Sequence, residues 1–190
     1  MAEVVVFHHA QGLTDGVRAF ADELRAAGHT VHTPDLYEGR TFAELADGIA
    51  HVQQIGFDTI IARGRAAADE LPAELTYVGF SLGVLPAQAL AQTRRGAQAA
   101  VLIHSCVPPS EFGTPWPAGL PGQVHIVEQD PEALPPNGDL ADARALADSV
   151  DSVELFLYPG DRHLFADSSL PEYDEEAAML LKERVLSLLA

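Results

Sequence analysis

Short apolar runs alternate with longer amphipathic segments along most of this 190-residue chain. A continuous apolar run suits a parallel strand that is buried on both faces, whereas apolar residues at helical spacing suit a helix that covers such a sheet. Strands are predicted at residues 4–8, 30–33, 75–80, 99–104, 123–128 and 153–157. Helices are predicted between them, at residues 14–27, 41–55, 58–71, 82–94, 138–150 and 171–189. This alternation predicts an α/β fold with a six-stranded, mostly parallel, doubly wound sheet.

Cap residues predict where several helices begin. Thr14 is suited to cap the first helix. Thr41 and Glu44 have the spacing of a capping box, which predicts that the second helix begins at Thr41. Pro171 is expected to begin the last helix. The chain has no internal repeat and no interdomain linker, so residues 1–190 are predicted to form one domain.

The segment Gly79-Phe80-Ser81-Leu82-Gly83 lies between a predicted strand and a predicted helix. A Gly-x-Ser-x-Gly turn in that context is typical of a nucleophile elbow, which lifts the serine hydroxyl above the edge of the sheet. The two glycines leave room where side chains would collide with the flanking strand and helix. Ser81 is therefore a candidate nucleophile. The backbone N–H of Leu82, at the start of the helix, is a candidate donor to an oxyanion.

Two polar residues that follow later strands are candidate partners of Ser81. Asp130 comes just after the fifth predicted strand, and His163 comes shortly after the sixth. Parallel strands end at one edge of a sheet, where sites form in α/β folds, so these side chains are expected to approach Ser81. Glu128 and Asp161 are alternative acids. Glu128 is the weaker of these alternatives, because alternation along its strand aims it differently from Asp130.

The chemistry of a serine nucleophile explains why these residue types are needed. A serine hydroxyl is a weak nucleophile at neutral pH, so a base must take its proton as it attacks. His163 is predicted to be that base and to return the proton to the leaving group. Asp130 is predicted to hold the imidazole in the required tautomer and to stabilise the imidazolium.

The loop after the first strand, His8-His9-Ala10-Gln11-Gly12, is expected to supply the second oxyanion donor. The backbone N–H of Ala10 is the first choice, and that of His9 is the second. The adjacent histidines also suggest a metal site, but no further residues have ligand spacing, so neither a metal nor another cofactor is predicted. His9 is instead expected to line the substrate pocket.

Four aromatic residues are candidates for the pocket walls. Trp116 belongs to a proline-rich loop, residues 105–122, that follows a strand at the catalytic edge. Together with Phe112 it either lines the pocket or packs against the side of the domain. Tyr37 and Phe165 follow predicted strands at the same edge. No segment is long enough for a cap domain, which predicts an open, shallow cleft for small substrates.

These motifs, in this order, resemble the dienelactone hydrolase family of α/β-hydrolases. The matching segments span nearly the whole chain and are Thr33-Pro34-Asp35-Leu36-Tyr37, Gly79-Phe80-Ser81-Leu82-Gly83, Gln129-Asp130 and His163-Leu164-Phe165-Ala166, with Ser168, Ser169 and Tyr173 behind them. The resemblance implies a triad of Ser81, Asp130 and His163, with Ala10 and Leu82 as oxyanion donors. By analogy it implies the strand order 2-1-3-4-5-6, without the two antiparallel strands that lead larger relatives. It also implies hydrolysis of esters or lactones.

Three positions depart from the pattern of the best-known family members. Ser81 stands where those members have a cysteine, and His9 aligns with a glutamate. Asp167 aligns with an arginine that binds the carboxylate of the lactone. An acidic group there would repel an anionic substrate, which argues against dienelactone itself. Because a hydroxyl is far less acidic than a thiol, Ser81 also depends on its base more than a cysteine would.

Composition argues against several classes of partner. With 28 acidic and 11 basic residues the net charge is −17 at pH 7, and no basic stripe offsets it, so nucleic acid and anionic membranes are disfavoured. No apolar run approaches the ~20 residues of a membrane span, and the N-terminus lacks the features of a signal peptide. The single cysteine, Cys106, is predicted to be a small buried or pocket-wall residue. A cytoplasmic location is expected, and the oligomeric state is left open.

The sequence therefore predicts a serine hydrolase that cleaves small esters or lactones through an acyl-enzyme. Two alternatives stay open. One is a catalytically silent protein of the same fold that binds a small ligand. The other is a hydrolase of a different acyl bond, such as a thioester or a short peptide.

Overall fold

The computed structural model describes residues 1–190, which build one six-stranded sheet with strand order β2-β1-β3-β4-β5-β6. The strands are β1 (Glu3–Phe7), β2 (Thr30–His32), β3 (Leu75–Phe80), β4 (Ala97–Ile103), β5 (Gly122–Val127) and β6 (Val153–Tyr158). The helices are α1 (Asp15–Ala26), α2 (Leu45–Ile55), α3 (Phe57–Asp69), α4 (Val84–Thr93), α5 (Asp139–Ser149) and α6 (Glu175–Leu189). None of these helices has the length and apolar character needed to cross a membrane.

Every pair of neighbouring strands in the sheet is parallel. Val5 of β1 lies between His32 of β2 and Tyr77 of β3, so the first strand is internal to the sheet. This strand order and the alternation of strands with helices confirm the predicted fold class. Because all the strands run in the same direction, the loops after β1, β3, β5 and β6 meet at one edge of the sheet.

Side chains of alternate strand residues bury into two separate cores, one on each face of the sheet. In β1, Val4 and Val6 join the core under α1 and α6. Val5 and Phe7 join the core under α2, α3, α4 and α5. A strand with helices on both sides has no solvent-facing positions, which explains why β1 reads as a continuous apolar run rather than an alternating one.

The loop after β1, residues 8–14, ends where α1 begins, and we call it the oxyanion loop after the role predicted for it. The predicted cap is confirmed, because the Thr14 hydroxyl accepts a hydrogen bond from the backbone N–H of Val17. The second helix differs from its prediction: it begins at Leu45, and neither Thr41 nor Glu44 makes a side-chain cap. The reason is a competing interaction: Glu44 is extended, and Thr41 forms an isolated antiparallel bridge with Gly12 of the oxyanion loop.

The contacts that keep this segment extended come from a single glutamine. The backbone N–H of Phe42 donates to the carbonyl oxygen of Gln11 at 2.9 Å. The side-chain amide of Gln11 donates to the carbonyl oxygens of Phe42 at 3.2 Å and Ala43 at 2.9 Å. Hydrogen bonds to a loop residue 31 and 32 positions earlier in the sequence therefore override the capping-box spacing, and a local pattern cannot reveal such contacts.

The last helix also begins later than predicted. Pro171 lies in a turn, and α6 begins at Glu175 after Asp174, whose carboxylate accepts from the backbone N–H of Ala177 at 3.1 Å. The backbone N–H of Asp174 donates to the carbonyl oxygen of Phe165 at 3.0 Å. That bond ties the start of the helix to the loop that follows β6.

The loop between β4 and β5 corrects one of the pocket predictions. Trp116 is buried, and its indole N–H donates to the carbonyl oxygen of Leu120 at 3.0 Å. Its ring packs against Gly122, the first residue of β5, so it lies at the amino end of that strand. The predicted site is at the carboxyl ends of the strands, at the opposite edge. Trp116 therefore packs into the core at the amino ends of the strands and does not line the predicted pocket.

Two fully buried histidines, His125 and His8, should make the stability of this fold depend on pH. The His125 side chain is fully buried between the Tyr158 hydroxyl, 2.8 Å from Nδ1, and the Gln123 side-chain oxygen, 3.2 Å from Nε2. Burial, aided by the positive charge of Arg184, lowers the pKa of His125 to about 3. Burial likewise lowers the pKa of His8 to about 4.

We therefore expect the free energy of unfolding to decrease as the pH falls from 7 to 5. In that window the histidines of the unfolded chain, with ordinary pKa values near 6.5, become protonated, whereas the buried histidines of the folded chain stay neutral. Each of the two histidines should therefore lower the free energy of unfolding by about 1–2 kcal/mol at pH 5. Urea denaturation of the wild type and of His125→Gln at pH 7, 6 and 5 measures the effect. The variant should lose less stability than the wild type. Equal losses would contradict the assignment, because both chains share every other titrating group.

Candidate active site

A sharp turn between β3 and α4 presents Ser81. The strand ends at Phe80, residues Ser81–Gly83 form a single 3₁₀ turn, and Val84 begins the helix. Ser81 has a φ of 48°, in the left-handed region that non-glycine residues seldom occupy. A Cβ at Gly79 would collide with the backbone of Gly83, and one at Gly83 would lie 2.7 Å from the carbonyl oxygen of His8. Both glycines are thus required by close backbone approach, as the elbow pattern predicted.

A continuous hydrogen-bond chain runs from the serine through the histidine to a carboxylate. Ser81 Oγ lies 2.8 Å from His163 Nε2, and His163 Nδ1 lies 2.6 Å from Asp130 Oδ2. With a proton on Nδ1 donated to the carboxylate, Nε2 is left to accept from the serine hydroxyl. The alternative acids, Glu128 and Asp161, are exposed and have no hydrogen bond to the imidazole. The structure brings together the three residues expected to form a triad, with Asp130 as the acid.

Backbone hydrogen bonds between the ends of β5 and β6 hold the acid and the histidine together. The N–H groups of Glu128 and Gln129 donate to the carbonyl oxygens of Tyr158 at 2.9 Å and Gly160 at 3.1 Å. Asp130 itself is fully buried, and its second carboxylate oxygen accepts from the backbone N–H of Glu132 at 2.9 Å. A buried carboxylate whose two oxygens both have donors is fixed in orientation, and it fixes the imidazole in turn.

The two predicted oxyanion donors both lie at the serine. Ala10 and Leu82 line the same cleft as Ser81 and His163. The backbone N–H of Ala10 donates to no acceptor in the protein, so it is free to bind a ligand oxygen. Helix α2 passes so close to this loop that a Cβ at Gly48 would collide with the carbonyl group of Ala10. That packing supports the loop from behind.

The cleft above Ser81 has a volume of about 460 Å³ and two kinds of lining. Helices α2, α3 and α4 supply an apolar part, made of Leu45, Ile49, Val52, Phe57 and Leu85, with Gln53 beside it. Loops after β4 and β5, with the start of α5, supply a polar part made of Ser105, Glu132, Asn137 and Asp139. The volume suits a small molecule rather than a polymer, and the lining suits a substrate with one apolar and one polar end.

The polar part of the cleft carries negative charge without a compensating cation. Glu132 and Asp139 are its ionisable groups apart from His163, and none of the lining residues is Lys or Arg. The Ser105 hydroxyl donates to the Asp139 carboxylate at 2.5 Å. Burial raises the pKa of Asp139 and outweighs this hydrogen bond, which acts in the opposite direction.

His9 was predicted to line the pocket, and the structure places it elsewhere. Its ring is fully buried, and Nε2 lies 2.7 Å from a carboxylate oxygen of Asp167, which is also fully buried. Asp167 therefore does not face the cleft. The expectation that it repels an anionic substrate directly was wrong. His9 and Asp167, two of the three residues that depart from the expected family pattern, are instead hydrogen-bonded to each other.

Tyr37 and Phe165 are likewise buried and do not line the cleft. The Tyr37 ring packs edge-on against His8 at 4.9 Å and His51 at 4.8 Å between ring centroids. Burial raises the pKa of its hydroxyl to about 12. Phe165 packs at 4.8 Å against His104, in the core under α1 and α6. Both rings follow a strand at the correct edge, but each points into a core, because a large apolar surface is more stable out of water.

One buried residue beside the triad had no sequence signal. The His104 ring lies 5.6 Å from the His163 ring, is fully buried, and has no hydrogen-bond partner for either nitrogen. Burial, followed by the neighbouring histidines, lowers its pKa well below the usual value, so His104 is neutral and packs beneath the His163 imidazole. Cys106 is also buried outside the cleft, and burial raises the pKa of its thiol, which keeps it protonated and unreactive.

Several cleft residues were not predicted from the sequence. Ser105 follows β4, so the rule that singled out Asp130 could also have found it. The apolar residues of α2 and α3 have no such signal, since which face of a helix borders a cleft depends on how it packs.

No group of three or more His, Cys, Asp or Glu side chains is arranged to hold a metal ion. The His8 ring nitrogens are already used by the carbonyl oxygen of His9 and the N–H of Leu36.

A family comparison agrees with this geometry. The model of the dienelactone hydrolase family matches residues 1–190. The chain belongs to the dienelactone hydrolase family. Membership supports a hydrolase function, and this member of the dienelactone hydrolase family has serine at the elbow. A comparison with curated protein sequences gives no match.

Solved structures share the fold. One is a dienelactone hydrolase-like promiscuous phosphotriesterase from metagenomic libraries, with 23% identity, a TM-score of 0.75, and coverage of 99% of this chain and 85% of that one. Another is a dienelactone hydrolase from Anabaena variabilis, with 19% identity, a TM-score of 0.68, and coverage of 98% and 86%. A thioesterase domain from the curacin biosynthetic pathway has 15% identity, a TM-score of 0.66, and coverage of 97% and 90%.

The packing of the elbow leads to a testable expectation for Gly83→Ala. The new methyl group would meet backbone atoms of Phe7 and His8, which cannot move independently, so stability should fall by about 1–3 kcal/mol. The control is Gly28→Ala, where φ is 95° but no atom lies within 4 Å, and which should cost about 1 kcal/mol. Urea denaturation gives both values. If Gly83→Ala costs no more than Gly28→Ala, close approach at the elbow is not what requires glycine there.

Proposed function

We propose that this protein is a serine hydrolase that cleaves small esters or lactones through an acyl-enzyme. The observation that carries the proposal is the hydrogen-bond chain from Ser81 Oγ through the His163 imidazole to the buried Asp130 carboxylate, at 2.8 Å and 2.6 Å. Membership of a hydrolase family and the free N–H of Ala10 beside the serine support it.

In the first half of the reaction, Ser81 Oγ attacks the carbonyl carbon while its proton passes to His163 Nε2. The carbonyl oxygen becomes an oxyanion, which the N–H groups of Ala10 and Leu82 would bind. Asp130 stabilises the imidazolium through the Nδ1 hydrogen bond. The tetrahedral intermediate collapses, the imidazolium gives its proton to the leaving alcohol, and an ester of Ser81 remains.

In the second half, water attacks the acyl-enzyme with His163 as the base. A second tetrahedral intermediate collapses, and the proton returns to Ser81 Oγ as the acid product leaves. For a lactone the leaving alcohol is part of the same molecule as the acyl group, so one hydroxy acid is released.

The cleft favours substrates that are small and not anionic. A volume of about 460 Å³ accommodates a small molecule, and the apolar part from α2, α3 and α4 suits a hydrocarbon portion. Glu132 and Asp139 contribute negative charge, and no lining Lys or Arg could hold a carboxylate. We therefore propose neutral esters or lactones as substrates, in preference to dienelactone.

Covalent trapping tests the proposed nucleophile. A fluorophosphonate should add to Ser81 in the wild-type chain and not in Ser81→Ala, as measured by the mass of the intact protein and of its peptides. His163→Ala and Asp130→Asn should lower ester turnover on the order of 10²–10⁴-fold, because the serine loses its base or the base loses its orientation.

Asp161→Asn is the matched control, since Asp161 is an exposed carboxylate two residues from the imidazole and makes no hydrogen bond to it. Its turnover should equal that of the wild type. A folded wild-type chain that stays unlabelled would favour the alternative of a silent, ligand-binding protein. Turnover that survives in His163→Ala would remove the base assignment.

A matched pair of esters tests the charge preference. The two esters should have the same acyl chain length and differ only in whether that chain ends in a carboxamide or in a carboxylate. We expect kcat/KM for the neutral ester to be higher by ~10-fold or more, because one carboxylate near the polar end is worth about 1–2 kcal/mol at intermediate dielectric. Asp139→Asn should narrow the ratio, and so should added salt. A ratio near one, unaffected by Asp139→Asn, would contradict the preference.

A panel of leaving groups separates ester hydrolysis from the second alternative. Oxygen esters, thioesters and short peptides with one common acyl group should be compared by kcat/KM. Higher values for the oxygen esters would support the proposal, and a preference for the thioester or peptide would replace it.

A further inference from the structure

A fully buried histidine–carboxylate pair joins two loops that meet at the candidate active site. His9 belongs to the oxyanion loop after β1, and Asp167 belongs to the histidine loop, residues 159–174, after β6. His9 Nε2 lies 2.7 Å from Asp167 Oδ2, and neither side chain is exposed to solvent. The two residues are 158 positions apart in sequence, so this contact exists only because of the fold.

The contacts around the pair define its protonation and its direction. The backbone N–H of Gln11 donates to His9 Nδ1 at 3.2 Å, so the ring proton lies on Nε2 and is donated to Asp167. The same carboxylate oxygen accepts from the Thr14 hydroxyl at 2.5 Å. One oxygen of Asp167 therefore holds the start and the end of the oxyanion loop, with Ala10 between them.

The other oxygen of Asp167 anchors the carboxylate to its own loop. Oδ1 accepts from the backbone N–H of Ser169 at 2.8 Å and from its hydroxyl at 2.6 Å. Helix α1 packs directly onto this oxygen, since a Cβ at Gly16 would collide with it. Burial raises the pKa of Asp167, but the hydrogen bonds from His9, Ser169 and Thr14 outweigh burial and hold it at about 2. The acceptor is thus ionised at any physiological pH.

We propose that His9 and Asp167 are a positioning pair that sets the Ala10 N–H against Ser81 and His163. The proposal rests on the serine hydrolase function given above. Neither residue touches the cleft, so neither can bind substrate. Their effect is on geometry: the pair links the loop that carries one oxyanion donor to the loop that carries the general base. A donor displaced by ~1 Å can lose ~10²-fold in rate, which makes such a link valuable.

Two substitutions of His9 separate the link between loops from local structure. In His9→Gln the amide nitrogen can occupy the position of Nε2 and donate to Asp167, while the acceptor for the Gln11 N–H is lost. In His9→Asn the short side chain can accept from Gln11 but cannot reach Asp167. If the link matters, His9→Asn should lower kcat by ~10–100-fold with little change in KM, and His9→Gln should keep most of the activity.

A transition-state analogue provides a readout that a purely structural role would not change. A trifluoromethyl ketone forms a tetrahedral adduct with a serine, and its oxyanion needs the Ala10 N–H. Its inhibition constant should rise in His9→Asn in parallel with the fall in kcat/KM, and the KM of the ester should not. The proposal would be overturned if kcat fell in His9→Asn while the inhibition constant of the analogue stayed the same. It would also be overturned if His9→Gln lost more kcat than His9→Asn.

The chain offers a matched control and a second route. On the edge strand β2, which β1 separates from the strand that leads to Ser81, His32 Nε2 lies 2.7 Å from a carboxylate oxygen of Glu3. His32 does not line the cleft, so His32→Asn should leave kcat unchanged. If His9→Asn does not fold, Gly16→Ala displaces Asp167 without altering either partner, and it should lower kcat by severalfold. Normal kcat in a folded Gly16→Ala would refute the pair's role. A wild-type chain without esterase activity would instead refute the function on which the proposal rests.

Discussion

The hydrogen bond between Ser81 Oγ and His163 Nε2 is the contact on which the candidate chemistry depends, and it joins residues 82 positions apart. It forms because every strand of the sheet runs in the same direction, so that the loops after β3 and β6 end at one edge. The elbow alone could present a serine, and a loop alone could present a histidine. Only the parallel sheet places them within 2.8 Å of each other.

Two buried carboxylates near this contact each accept a hydrogen bond from a histidine. Asp130 holds His163, and Asp167 holds His9, each through a carboxylate with donors on both oxygens. Such groups are costly to bury unless they are satisfied, and once satisfied they have a single low-energy orientation. The His104 ring, which lies beneath the His163 imidazole, has no hydrogen-bond partner for either nitrogen, and the buried Tyr37 hydroxyl is also unpaired. Burial lowers the pKa of His104 well below its usual value, so this ring is neutral.

The chain's departures from the family pattern make sense together. His9 and Asp167 look unrelated in the sequence, and the acidic residue suggested electrostatic repulsion of an anionic substrate. The structure shows that they are hydrogen-bonded to each other and buried away from solvent. The acidic residues that line the cleft are Glu132 and Asp139 instead. The proposal of a non-anionic substrate therefore rests on Glu132 and Asp139 rather than on Asp167.

By itself the sequence determined the alternation of strands and helices, the elbow and the residues of the hydrogen-bond chain, because these follow from hydrophobic period, turn chemistry and the order of motifs along the chain. The order of the strands in the sheet came from the resemblance to the family. The pocket walls could not be read in the same way. Tyr37 and Phe165 come after the correct strands and still point into the cores, and Trp116 lies at the opposite end of β5. Likewise, the start of α2 was decided by hydrogen bonds from Gln11 rather than by its own cap residues. A side chain's direction and its long-range partners depend on packing between elements, and only the tertiary structure decides that.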